Sequence, residues 1–368
     1  MMNLPVDKEN NGKVFFPGKI AVVTAHVSIN EDDYYSAGNL IEKYGKEKII
    51  HTMWPLDYMT DKGQVMRVVA ELAADNDVKA LIIVQAVSGT NAAIKKLKEI
   101  RDDVFIVYCE AHEANNEAAE SANLILAVDD DGMGAAMVKQ ARKQGAKVFV
   151  HYSFPRHMSI PRLKNRRDLI QQECVKGDVQ FINTMVPDPA GEAGFGEAEK
   201  FILNDVKEIV TRYGDETAFF CTNCSLQAPL IKAVVENHAV FPQPCCPSPY
   251  HGFPKALGIE TNNGTLGLNL LIGEACRIVA EKNMTDRLST WPVSAPMMFS
   301  NAGAEYAIKW INGEVPKTGI DSHVLAEAMN EYVEDVIGEA SNVYISSYSD
   351  ETRTYDNYKL VLMSYLDF

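Results

Sequence analysis

The chain has 368 residues, of which 46% are hydrophobic and 23% charged. That balance excludes disordered and fibrous classes, and the length suggests two domains of ordinary size. Fifty acidic residues against 35 basic ones leave a net charge of −15, a field that repels phosphate backbones and anionic membranes, so no direct nucleic-acid partner is expected.

No window of about 18 apolar residues occurs, so no transmembrane helix is expected. The first 18 residues are polar and carry neither the apolar core of a secretory signal nor a lipid-anchor cysteine. The compartment stays open: cytoplasmic as the sequence stands, or extracytoplasmic and lipid-anchored if a leader was removed. Seven cysteines, an odd number over a long chain, do not read as a disulfide framework.

Short apolar runs alternate with amphipathic ones. Strands are expected at Lys19–Thr24, Lys48–Met53, Lys79–Gln85, Val104–Cys109 and Asn123–Val128. Helices are expected between them over Tyr34–Tyr44, Asp61–Ala74 and Asn91–Glu99, then over Met133–Gln144, which ends at Gly145. The pattern restarts with strands at Lys147–Tyr152, Val179–Thr184 and Thr217–Cys221, and helices at Pro161–Val175, Gly196–Tyr213 and Leu226–Glu236. Such alternation means βαβ units and parallel sheets. Phe241–Pro254 holds five prolines and cannot be regular. A strand at Ala256–Glu260 and helices at Leu266–Lys282, Ala302–Asn312 and Ser322–Ile337 follow. The tail has strand-like runs at Val343–Ser347 and Tyr358–Tyr365.

The order of elements, carried by Lys19–Tyr35, Lys79–Leu97, Phe105–Glu113, Leu124–Val138, Thr217–Val234 and Gly258–Gly267, resembles the type I periplasmic-binding-protein superfamily. That group includes ribose- and galactose-binding proteins and LacI-type sensor domains. Within it the chain resembles an uncharacterised bacterial subfamily of lipoproteins or regulators. The resemblance implies two doubly wound parallel-sheet α/β lobes joined by a hinge, with an extended C-terminal tail. The N-terminal lobe would take 14–146 plus about 260–295, and the C-terminal lobe 147–259 plus part of about 296–368. It implies non-catalytic binding of a small polar organic ligand, anionic ones included, in a cleft that closes, with a membrane permease or a signalling protein as partner.

Ligands of open α/β sheets sit beyond the carboxyl ends of the strands. The candidates are therefore His26, Asn30, Asp33, Tyr34 and Tyr35 after the first strand, with Ser28 and Asp32 beside them. Gln85 follows the third strand, with Ser88 or Thr90 as helix cap, and Glu110 and His112 follow the fourth. Asp130 follows the fifth, with Asp129 and Asp131 as caps. In the second lobe Tyr152, Phe154, Arg156 and His157 follow a strand. Arg162 and Arg166 share a helix face four residues apart, reinforced by Lys164 and Arg167, and suit a carboxylate or phosphate. Asn223 both donates and accepts. Glu260, with Thr261, matches the strand that crosses back between lobes.

Two other readings remain. Cys221-x-x-Cys224 before a helix suits a thiol oxidoreductase and, with Cys245-Cys246, a metal site, although adjacent cysteines chelate one ion poorly. No metal or cofactor is therefore expected. The alternative is a ligand-responsive regulator without its own DNA-binding module, since 18 residues before Lys19 are too few for a helix-turn-helix unit. No nucleotide, zincin or nucleophile-elbow motif occurs, so no enzyme is expected.

Overall fold

The computed structural model describes residues 16–27, 29–58, 61–260, 267–339 and 341–368; the candidates Ser28 and Thr261 lie outside them. The chain forms two compact units. The first contains the described residues up to Val128, then Ala295–Asp335 and 341–361, and the second contains Asp129–Ser294, Val336–Glu339 and Leu362–Phe368.

In the first unit the strands are β1 (Lys19–Thr24), β2 (Ile49–Met53), β3 (Val78–Ile83), β4 (Phe105–Tyr108), β5 (Leu124–Val128), β10 (Val343–Ser349) and β11 (Thr354–Met363). Among the described residues they form one sheet in the order β10-β11-β5-β4-β3-β1-β2. The core strands pair in parallel. They are nearly continuous apolar runs because both faces are covered. One face puts Ala21, Val23, Leu81, Ile83, Ile106 and Tyr108 against Val65 and Val69 of α2 (Lys62–Ala73), Ile94 and Leu97 of α3 (Thr90–Ile100) and Ala118 of α4 (Asn115–Ser121). On the other face Phe105 packs on Tyr306 and Trp310 of α12 (Ala295–Ile311). There α12 comes so close that a Cβ at Gly303 would lie 2.9 Å from Val107 Cγ1. The helix α1 (Glu31–Tyr44) follows β1, and Tyr44 donates its hydroxyl hydrogen to Glu305 of α12.

The second unit is built on β6 (Val148–Ser153), with β7 (Gln180–Met185) and β8 (Thr217–Cys221) parallel on either side. Val148, Val150, Tyr152, Phe219 and Cys221 face α8 (Gly194–Tyr213) and α9 (Gln227–Glu236). Phe149, Ala218 and Phe220 face α5 (Asp130–Lys143) and α7 (Pro161–Lys176). A short α6 (Pro155–Met158) joins β6 to α7. Single bridges extend the sheet edge from Ala218 to Val240 and from Phe241 to Leu288. A two-residue antiparallel pair joins β9 (Ser289–Thr290) to β12 (Leu366–Asp367). The remaining helices are α10 (Phe253–Leu257), α11 (Leu268–Glu281) and α13 (Ser322–Ile337). Each unit is thus a parallel-sheet lobe wound on both sides.

Three expectations need correction. The chain changes units after Val128, not near Ala146, because Met137, Val138 and Ala141 of α5 belong to the second core. Gly134 of α5 lets α7 approach, its absent Cβ lying 3.2 Å from the Arg166 carbonyl oxygen. Residues of 260–294 belong with the second unit, since Ala275, Val279 and Leu288 fill its core, and most of 295–361 joins the first. The tail supplies the strand-like run expected there: β11 runs parallel to β5, with Tyr358 opposite Ile125 and Val361 opposite Val128. Finally, the strand expected at Ala256–Glu260 is replaced by α10, with Pro254 in its first turn and left-handed Gly252 and Gly258 at its two ends.

Candidate functional site

The first lobe gathers its candidates at the carboxyl ends of β1, β3 and β4. The loops after β3 and β4 are tied by Ala86 N–H donating to Glu110 O (2.8 Å) and His112 N–H donating to Ala86 O (3.0 Å). Glu110 has φ of +132°, a costly conformation for a side-chain-bearing residue, and such strain concentrates at functional loops. Its carboxylate accepts Val128 N–H at 3.1 Å. Asn30 is the N-cap of α1, and its Oδ1 accepts Asp33 N–H. Tyr34 meets Tyr35 and His51 edge-on at 5.6 and 5.1 Å. The Gln85 carbonyl accepts the Trp54 indole N–H at 2.9 Å. His26 is half-buried and His112 exposed. The start of α3 is held by the Glu113 carboxylate, which accepts Gly89 and Asn91 N–H, rather than by a Ser88 or Thr90 side-chain cap.

Asp33 differs from all of these. It is 0% exposed, and neither carboxylate oxygen has a hydrogen-bond partner among the described residues. Burial, with the charges of Asp32 and Glu110, pushes its pKa up to about 8. A carboxyl group left this way costs free energy until something supplies a partner.

The second lobe uses its polar candidates internally. Tyr152 and Phe154 are core residues, and the Tyr152 hydroxyl donates to Asp205 at 2.7 Å. Arg156 grips Asp188 through two bonds of 2.8 Å. Asp130 holds Arg162 at 2.9 Å and Arg166 at 3.0 Å, one on each carboxylate oxygen. Arg167 pairs with Asp168. The basic cluster is therefore interleaved with acids. Asn223 accepts Ser225 N–H at 3.0 Å, capping the single helical turn at Cys224–Leu226. Glu260 is exposed beyond α10, not on a strand.

The structure also assembles groups that sequence reading did not. His157 Nδ1, Thr222 Oγ1 and Ser153 Oγ form a chain with steps of 2.9 and 3.0 Å. Cys221 is not part of the thiol cluster around Cys224: it is buried in the core, and burial pushes its thiol up to about 12. Cys224 instead meets Cys245, Cys246 and His251, their ligating atoms all within 4.8 Å of one another. The signal in the sequence was the proline-rich loop holding Cys245 and Cys246. What sequence could not show is its return to the turn after β8.

Comparison with known proteins agrees with the fold. A crystal structure from Clostridium difficile 630, described as that of a candidate transcriptional regulator, superposes with a TM-score of 0.86 at 18% identity, covering 96% of this chain and all of that one. An arabinose-binding protein from Geobacillus stearothermophilus matches at 0.51 and 11% identity, over 80% of this chain and 88% of its own. A sugar ABC transporter structure from Actinomyces odontolyticus ATCC 17982 matches at 0.52 and 10% identity, over 83% and 86%. The fold is that of the type I periplasmic-binding-protein superfamily. By sequence, an uncharacterised protein of Treponema pallidum (strain Nichols) is 36% identical over 165 residues, 45% of this chain and 76% of its own. A second uncharacterised protein of the same organism is 28% identical over 178 residues, 47% and 80%. The model of the family described as Protein of unknown function (DUF3798) matches residues 18–289, and the chain belongs to that family.

Proposed function

We propose that the protein binds a small polar organic solute, without transforming it, at the strand-end loops of its first lobe. The observation that carries this reading is Asp33: a fully buried carboxyl group without a described partner, behind a strained Glu110. A solute hydroxyl or amine supplies the missing partner, and Tyr34 and Tyr35 offer ring faces to its apolar side. The names of two proteins with this fold speak of arabinose and sugar, which supports a polyhydroxylated or amino-bearing solute class. The finer part of the proposal is that groups of the second lobe hold the same solute and that binding closes the protein. There Arg162, with its side chain 65% exposed, is the cation best placed to exchange Asp130 for a ligand anion. A membrane permease or a signalling protein would read the closed form.

A thermal-shift screen with sugars, polyols, amino sugars and amines tests the reading. A hit at a hundred times its Kd adds about 2.7 kcal/mol of stability. Asp33→Asn abolishes that shift while leaving the circular dichroism unchanged. A folded Asp33→Asn protein that binds as tightly as the parent removes Asp33 from the site. Small-angle scattering that shows no compaction on saturation removes the closure.

A further inference from the structure

We propose that Cys224, Cys245, Cys246 and His251 form a mononuclear tetrahedral site for a borderline-soft divalent cation of the zinc type, within the second lobe. The distances carry the argument. Around an ion with metal–sulfur bonds of about 2.3 Å and metal–nitrogen bonds of about 2.0 Å, tetrahedral angles separate two thiolates by about 3.8 Å and a thiolate from an imidazole nitrogen by about 3.5 Å. The observed Sγ separations are 3.4 Å for Cys224–Cys245, 3.8 Å for Cys224–Cys246 and 3.8 Å for Cys245–Cys246. His251 Nε2 lies 3.5 Å from Cys245 Sγ. The other two His251 separations are within 4.8 Å, so the four atoms can close on one ion as a coordination tetrahedron.

Competing uses of the cysteines fit less well. A disulfide needs sulfurs about 2.05 Å apart and joins only two, whereas three sulfurs converge with an imidazole. An iron–sulfur cluster spreads its thiolates over separate irons, and this set is gathered around one point. Three sulfurs and one nitrogen, with no oxygen, disfavour magnesium and calcium.

The surroundings hold the set in place. Pro242, Pro244, Pro247 and Pro249 restrict the loop that carries Cys245 and Cys246, which lowers the entropy lost on ordering it. The Gln227 side chain spans the two segments: Nε2 donates to the carbonyls of Cys221 and Asn223, and Oε1 accepts Cys245 N–H at 3.3 Å. Gly252, at φ +87°, follows His251, and a Cβ there would lie 2.8 Å from Gln227 Cβ. Adjacent cysteines are thus no obstacle, because the loop turns both sulfurs toward Cys224. Three thiolates around a divalent ion leave one negative charge, and the buried Arg166 is the cation whose field reaches it. Cys224 and Cys246 are exposed, giving an ion a way in. Four protein ligands close the coordination sphere, which is the mark of a structural site. The ion would staple the proline loop to the turn after β8.

The test uses the full chain, prepared under reducing conditions and titrated with Zn²⁺ and Co²⁺. The expected result is about one equivalent of zinc per chain, with proton release on binding, as thiol ligation requires. Cobalt should give thiolate charge-transfer bands and the strong visible absorption of tetrahedral geometry. X-ray absorption on the zinc form should count sulfur to nitrogen as three to one. Cys245→Ser and His251→Ala should each weaken binding at least tenfold, while Cys276→Ser, outside the cluster, should not. A weak octahedral cobalt spectrum overturns the proposal, as does unchanged binding in Cys245→Ser. So does failure of the reduced parent protein to take up zinc. The spectroscopic arms need no variant, so a misfolded mutant does not blunt the test. None of them depends on the solute site.

Discussion

The strand-end loops of the two lobes handle charge in opposite ways. In the second, Asp130 takes Arg162 and Arg166, and Asp188 takes Arg156, so acid and base answer each other within one lobe. In the first, Asp33 is buried with no described partner, near two other carboxylates. The difference bears on the solute site proposed above. A paired cluster is already stable and must give something up to bind. A buried acid without a described partner would gain from binding, which is why the proposed site rests on it.

Experiments can break or sharpen that contrast. The largest effect is expected from deleting Thr354–Met363. Loss of β11 strips β5 of its parallel neighbour, and the first lobe should lose its cooperative transition and become protease-sensitive. A first lobe that stays folded would show that the tail strand is dispensable. Next is Arg166→Ala. Arg166 is 3% exposed and paired to Asp130; breaking a buried pair from one side costs about 3 kcal/mol, read as a lower denaturation midpoint.

Asp33→Asn should have an effect that depends on pH, least at low pH. With a folded pKa of about 8 against an ordinary 3.8, the folded protein holds a proton that the unfolded chain has released. Stability from this group is therefore full at low pH and lost as pH rises from about 4 towards 8, with a slope of at most about 1.4 kcal/mol per unit. Asp33→Asn should flatten the profile across that window, and an unchanged profile would mean Asp33 is not the buried acid described. Arg162→Ala should be smallest. Its side chain is 65% exposed, so the pair contributes less than about 1 kcal/mol. A drop in solute affinity without a drop in stability would then place Arg162 on the ligand.

Sequence reading recovered what local pattern determines. Lys19–Thr24, Thr217–Cys221 and Ser322–Ile337 match β1, β8 and α13 residue for residue. Helix α4 escaped because Asn115–Ser121 is polar and short, with only Ala118 and Ser121 buried. The tail run was legible as a strand, but nothing local says that it lies between β5 and β10. The site was harder for the same reason. Asp33 was on the sequence list because it follows β1, yet its isolation depends on Cys109 and Glu110 being folded against it. Asp130 and Arg166 are 36 residues apart, and Cys224 and Cys245 are 21 apart. Their pairing is a property of the sheet that carries them.

The interleaving of the lobes has a consequence for how the protein is made. The second lobe takes its body from Asp129–Ser294 but also needs Leu362–Phe368. There Phe368 is buried with its ring 4.7 Å from Phe253, and its N–H donates to Leu288 O at 2.9 Å. During synthesis the central segment emerges well before those residues, so its hydrophobic surface must wait, incomplete, while the later part of the first lobe, Ala295–Asp335 and 341–361, is still being translated. Each lobe is completed only by residues that follow the body of the other or are interleaved with it. The temporal order of folding is therefore shared, and a clean single-lobe fragment cannot be cut from the gene at one point.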